Sequence, residues 1–180
     1  MRKMSGAPDD IFHKIRKCDW YRTAALISPA KAREVDKMGF KGLPLHLALG
    51  NRQLVPEDIV YDLIEAYPES CKYKDEAGKL PLHYAAEFNS CSEAVFQAIL
   101  EANPDAAMEP NKWGQLPIHY ACWRRATPSI ISMLYDAYPQ GATMRDTLAG
   151  FTCDAHTLRD SLSAEKFAST GLLQEFDEEA

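Results

Sequence analysis

The stretch Lys79-Leu80-Pro81-Leu82-His83-Tyr84-Ala85 has two close copies. Gly42-Leu43-Pro44-Leu45-His46-Leu47-Ala48 precedes it, and Gln115-Leu116-Pro117-Ile118-His119-Tyr120-Ala121 follows. The three prolines stand 37 and 36 residues apart. A second phrase keeps step, as Ala66-Tyr67-Pro68, Ala102-Asn103-Pro104 and Ala137-Tyr138-Pro139, at spacings of 36 and 35. Two independent phrases on one period specify a repeat array of like supersecondary units.

The middle copy shows how one unit is built. Lys74-Asp75-Glu76-Ala77-Gly78-Lys79 places an acidic residue and a glycine as a tight turn needs them, with Gly78 free to take positive φ. Pro81 falls in the first turn of a helix, where its missing N–H costs nothing. Leu82, Ala85 and Ala86 give that helix a small apolar face, and Asn89-Ser90 stops it. Ser92 then reads as an N-cap with Glu93 in the first turn of a second helix. Val95, Phe96, Ile99 and Leu100 put one apolar stripe on that helix, and Asn103-Pro104-Asp105 ends it. Neither helix is long enough to persist alone in water. Stability must come from stacking on the next copy.

These phrases resemble the ankyrin signature T-P-L-H-x-A, with Leu43, Leu80 and Leu116 in place of threonine. The period is longer than the ~33 residues of that family, and the extra residues fall around the second helix and the Ala-Tyr-Pro turn. The resemblance implies an all-α repeat solenoid, an ankyrin-type stack of helix-turn-helix units joined by β-turn or hairpin fingers. Extending the register gives a flexible N-terminus at 1–8 and an N-terminal capping repeat at 9–35. Three full repeats follow at 36–73, 74–109 and 110–144, then a degenerate capping repeat at 145–173 and an acidic tail at 174–180. In the last unit Cys153 replaces the proline, and His156 sits one place late.

Composition bounds the function. The chain has 180 residues, 46% of them apolar and 26% charged, and a net charge of −6. An acidic chain is a poor general partner for phosphate backbones, and no apolar run reaches the ~18 residues of a membrane span. Asp9-Asp10 soon after a start without an apolar core argues against a targeting peptide. Five scattered cysteines without a C-x-x-C pair fit reduced thiols in an intracellular protein, cytoplasmic or nuclear.

The recurring His46, His83, His119 and His156 invite a metal reading. Packed helices sit ~8–10 Å apart, whereas zinc needs each nitrogen at ~2.0–2.1 Å, so ligands one repeat apart cannot share an ion. The resemblance instead implies a histidine bonded across to the neighbouring turn. His119 and Cys122 lie one helical turn apart, but nothing near them in the sequence orients a nucleophile pair, and Cys122 takes the small buried position of Ala86. The sequence carries no enzyme constellation and calls for no cofactor or metal.

Binding is what remains. The family likeness implies a partner held on the concave groove, at finger tips and at the exposed end of each first helix. Those positions hold Lys37, Met38 and Phe40, then Glu76, Ala77 and Lys79, then Lys112, Trp113 and Gln115, and lastly Thr147 and Leu148. Just after the small pair come Gly50 and Asn51, Glu87 and Phe88, Trp123 and Arg124, with Arg125 next. Large aromatics and arginine are the residues most enriched at binding hot spots. The expected contact set is therefore Phe40, Lys79, Glu87, Phe88, Lys112, Trp113, Gln115, Trp123, Arg124 and Arg125. It would face a partner protein with an acidic or apolar segment, not nucleic acid or membrane, from a monomer or a subunit of a hetero-complex. A structural scaffold that docks through its sides or caps is the alternative.

Overall fold

The computed structural model describes residues 10–37, 41–147 and 152–171, and among these the chain is all-helical, with eleven α-helices and no strand. The first three helices are α1 (Ile11–Arg16), α2 (Trp20–Leu26) and α3 (Pro29–Ala32). Each starts on a side-chain cap, from Asp10, Asp19 and Ser28 respectively. The three phrase copies form α4 (Pro44–Leu49), α6 (Pro81–Phe88) and α8 (Pro117–Trp123), each with its proline at the first position. A longer helix follows each: α5 (Glu57–Ala66), α7 (Glu93–Ala102) and α9 (Pro128–Ala137). The chain closes with α10 (Ala155–Ser161) and α11 (Ala164–Ser169).

Local chemistry sets these boundaries. Ser92 Oγ accepts the Val95 N–H and opens α7. Asn89, at φ 48°, takes the left-handed conformation that ends α6. Asparagine enters that region more easily than most residues. Beyond each long helix lies an element that the sequence reading treated only as a return: a 3-10 turn at Pro68–Lys72, Pro104–Ala107 and Pro139–Ala142. Tyr67, Asn103 and Tyr138 leave the helix at φ near −150°. The proline that follows has a φ already suited to a new tight turn.

Packing follows the period. α1, α4, α6 and α8 touch in succession, as do α2, α5, α7 and α9, and each short helix also packs on the long helix after it. The contact faces hold small residues (Ala48, Ala85, Ala86, Ala121 and Cys122) that let the backbones approach, with Leu45, Leu82, Phe96, Ile99 and Ile131 filling the space between. Polar contacts repeat at the same interval. Lys41–Glu76 and Lys74–Glu109 pair residues 35 apart, Arg124–Glu87 pairs residues 37 apart, and Thr127 bonds Glu93 across 34. Residues one period apart in sequence are neighbours in space.

The phrase histidines tie each short helix to a later stretch of chain, but only His83 reaches the next unit's turn; His46 and His119 bond within their own units. His46 Nδ1 accepts the N–H of Leu43 at 3.2 Å, and His83 and His119 accept those of Leu80 and Leu116 at 3.1 Å. Their Nε2 atoms reach carbonyls further along the chain, those of Tyr73, Gln115 and Gly141. These acceptors do not occupy equivalent places in the period, so the histidine is the constant and its partner varies. Burial holds the imidazoles neutral: the pKa falls to about 4 for His46 and about 3 for His83, and that of His119 is lowered too. His156, out of register, is exposed and bonds Arg159 instead.

Candidate binding surface

The surface is built outward from two turns of the same design. Asp75 Oδ1 accepts the N–H groups of Ala77 and Lys79, both at 2.8 Å, while Gly78 sits at φ +75°. Asn111 Oδ1 does the same for Trp113 and Gln115, with Gly114 at φ +72°. Successive turns also join by backbone: the Lys112 N–H donates to Ala77 O at 3.0 Å, and the Thr147 N–H donates to Trp113 O at 2.9 Å. A Cβ on Gly78 would lie 3.1 Å from the Lys112 nitrogen, so the glycine serves this close approach as well as its φ.

Lys79 leaves its turn beside the end of α6. Its Nζ bonds Glu87 Oε2 at 2.7 Å and lies 4.4 Å from the Tyr120 ring centroid and 5.4 Å from that of Tyr84. The Lys79 and Glu87 side chains are only 13% and 12% exposed, so this pair is screened far less than a surface pair. Burial opposes the ammonium charge, but the bonds to Glu87 and to the Tyr120 hydroxyl outweigh it and hold the Lys79 pKa above the ordinary value. The other Glu87 oxygen meets Arg124 at 3.3 Å. The Arg124 guanidinium in turn lies 4.4 Å from the Trp123 ring centroid. Tyr84 donates to Asp75 Oδ2 at 2.7 Å and stacks on Phe88, ring centroids 6.2 Å apart and 9° from parallel. Burial, then that bond, pushes the Tyr84 phenol up.

Lys79, Glu87, Trp123 and Arg124 thus form one connected chain of contacts across two successive units, and Phe88 joins it through Tyr84. Trp123 is 59% exposed and Trp113 is 40% exposed. Phe88 is half-buried, its ring covered on one face by Tyr84, so it is less available than the sequence suggested. Gln115 is held inside a local network: its Oε1 accepts from Asn111 and Tyr120, and its Nε2 donates to Asp146. Lys112 and Arg125 are exposed, and Arg125 stands at φ 51°. Phe40, Met38 and Leu148 lie outside the described residues.

The sequence reading missed Tyr84, and the buried Asp75 and Tyr120 beneath, as supports of this surface. Tyr84 and Tyr120 stand inside the repeated phrase and read there as scaffold. The signal was Tyr84 standing four residues before Phe88, a spacing that brings side chains together on a helix.

All five cysteines are free thiols. Burial pushes Cys71 up to about 11 and Cys91 up to about 12, and Cys153 is raised by its bond to Cys122 and by burial. Among the described residues no group of three metal-ligating side chains could hold an ion, and no helix is long and apolar enough to cross a membrane. Compared with known proteins, the chain matches no family model and no curated protein.

Proposed function

We propose that this chain is a non-catalytic protein-binding module, a divergent ankyrin-type solenoid whose partner lies along the finger tips and the ends of the short helices. The observation that carries this reading is the contact chain Lys79–Glu87–Arg124–Trp123, which crosses from one unit to the next and leaves Trp123 and Arg124 open to solvent. A side chain that serves only the fold has no need of a large aromatic 59% exposed at a helix end. Contacts at one-period separation favour the linear stack over a closed bundle. The free thiols fit a reducing compartment, cytosol or nucleus.

Replacing Trp113, Trp123 and Arg124 together with alanine tests this. The variant is expected to lose the proteins that the native chain captures while keeping its helical circular dichroism. Unchanged capture would overturn the reading. The alternative, a scaffold or assembly subunit docking through its sides or caps, has its own support in Tyr21 on α2, 88% exposed, and in Leu54, 70% exposed. It predicts assembly of fixed stoichiometry in sizing chromatography that the triple variant keeps and a Tyr21→Ala/Leu54→Ser variant loses.

A further inference from the structure

We infer that the surface of Trp123, Arg124 and Arg125 takes an acidic segment of a partner protein, with a carboxylate on the Arg124 guanidinium and an apolar side chain against Trp123. The inference rests on the reading of the chain as a protein-binding module and names the chemistry of the partner.

The charge arrangement carries it. Glu87 lies between two cations, but not evenly: Lys79 holds one oxygen at 2.7 Å, and Arg124 meets the other at 3.3 Å. Lys79 is the buried partner and already balances the carboxylate. Arg124 is 43% exposed and, among the described residues, makes a single ion pair, with Glu87. A guanidinium carries five N–H donors in a planar fork that matches a carboxylate. Its position over the Trp123 ring restrains the side chain, which lowers the entropy lost when a second carboxylate binds.

Arg125 adds a second cation, exposed and without an ion pair among the described residues. Its φ of 51° is one that asparagine tolerates better, and Asn89 occupies the matching place after α6 at φ 48°. Of the carboxylates nearby, Asp75 is buried on two N–H groups and a phenol, while Glu93, exposed and bonded by Thr127 two residues beyond Arg125, is one anion against two arginines. The solvent therefore meets cationic charge beside an exposed indole, on a protein whose net charge is −6.

A random short-peptide display library, panned on the native chain at about 150 mM salt, where exposed charges are screened beyond ~8 Å, tests the inference. Selected peptides are expected to carry Asp or Glu beside an aromatic or aliphatic residue. They should bind about tenfold or more weakly to an Arg124→Gln/Arg125→Gln variant whose urea midpoint is unchanged. Peptides that need Trp123 but show no acidic bias would overturn the inference and leave the binding module standing. If no selected peptide is sensitive to Trp123→Ala or to the arginine pair, both readings fall. Binding of poly(U) RNA that beats the peptides and is lost in the arginine variant would also overturn it, in favour of nucleic acid.

Discussion

Each phrase histidine is held by two bonds that only one neutral tautomer satisfies. Nδ1 accepts a leucine N–H, so the proton sits on Nε2 and is donated to a carbonyl. Protonating the ring would turn Nδ1 into a donor facing a donor, inside a buried site. The pH dependence follows from the lowered pKa values of about 4 for His46 and about 3 for His83. The unfolded chain binds these protons below the ordinary ~6.5, and the folded chain does not. The stability contributed by each histidine is thus fully present above pH ~6.5 and lost as pH falls toward the folded values. Between pH 6.5 and 5, before most carboxylates titrate, the loss is expected to be roughly 1.5 kcal/mol per histidine. Urea midpoints measured across that window should fall, and a flat profile would contradict neutral burial.

At the scale of the element, the residue before each proline is a core leucine rather than a side-chain cap. Leu43, Leu80 and Leu116 are 1%, 2% and 1% exposed, in the core. Threonine there would offer a hydroxyl to the third helical N–H. In α6 and α8 that N–H is already bonded by backbone: His83 to Leu80 O at 3.0 Å and His119 to Leu116 O at 3.1 Å. The cap would add little, while a buried leucine contributes about 1.5–3 kcal/mol. Leu80→Thr is therefore expected to destabilise the chain by about 1–2 kcal/mol, read as a lower urea midpoint at constant m-value. A rise in stability would show that a threonine cap is the stronger term.

At the scale of the whole molecule, the proposed stack makes stability a sum of units and the interfaces between them. α6 lies between α4 and α8, and its Ala86 is fully buried. Ala86→Leu overpacks the centre at a cost of about 1–3 kcal/mol. Trp20 reports on the first helices, and Trp113 and Trp123 report on the later ones. Single-tryptophan forms of the native chain should unfold with coincident transitions. In the Ala86→Leu background the Trp20 and Trp123 transitions should separate. Coincidence in both backgrounds would argue for a globally cooperative core instead of a linear one.

The sequence by itself determined where the short helices start, because Pro44, Pro81 and Pro117 can only stand in a first turn. It determined which faces are buried, because Val95, Phe96, Ile99 and Leu100 repeat at a helical period. It also put Lys79, Glu87, Trp123 and Arg124 among the positions proposed to meet a partner. It did not reveal the 3-10 turns, since a proline after Ala-Tyr reads as a stop whether or not a new turn begins. Nor could it tell Gln115, tied to Asn111, Tyr120 and Asp146, from Arg124, which stays open. Of those bonds, the one to Asp146 crosses from one unit to the next. Only the tertiary structure decided that Glu87 sits between Lys79 and Arg124, and that Trp123 carries the guanidinium on its face. The reason is distance: a period in the sequence brings units together, but which side chains then lie within 3 Å depends on how the helices pack.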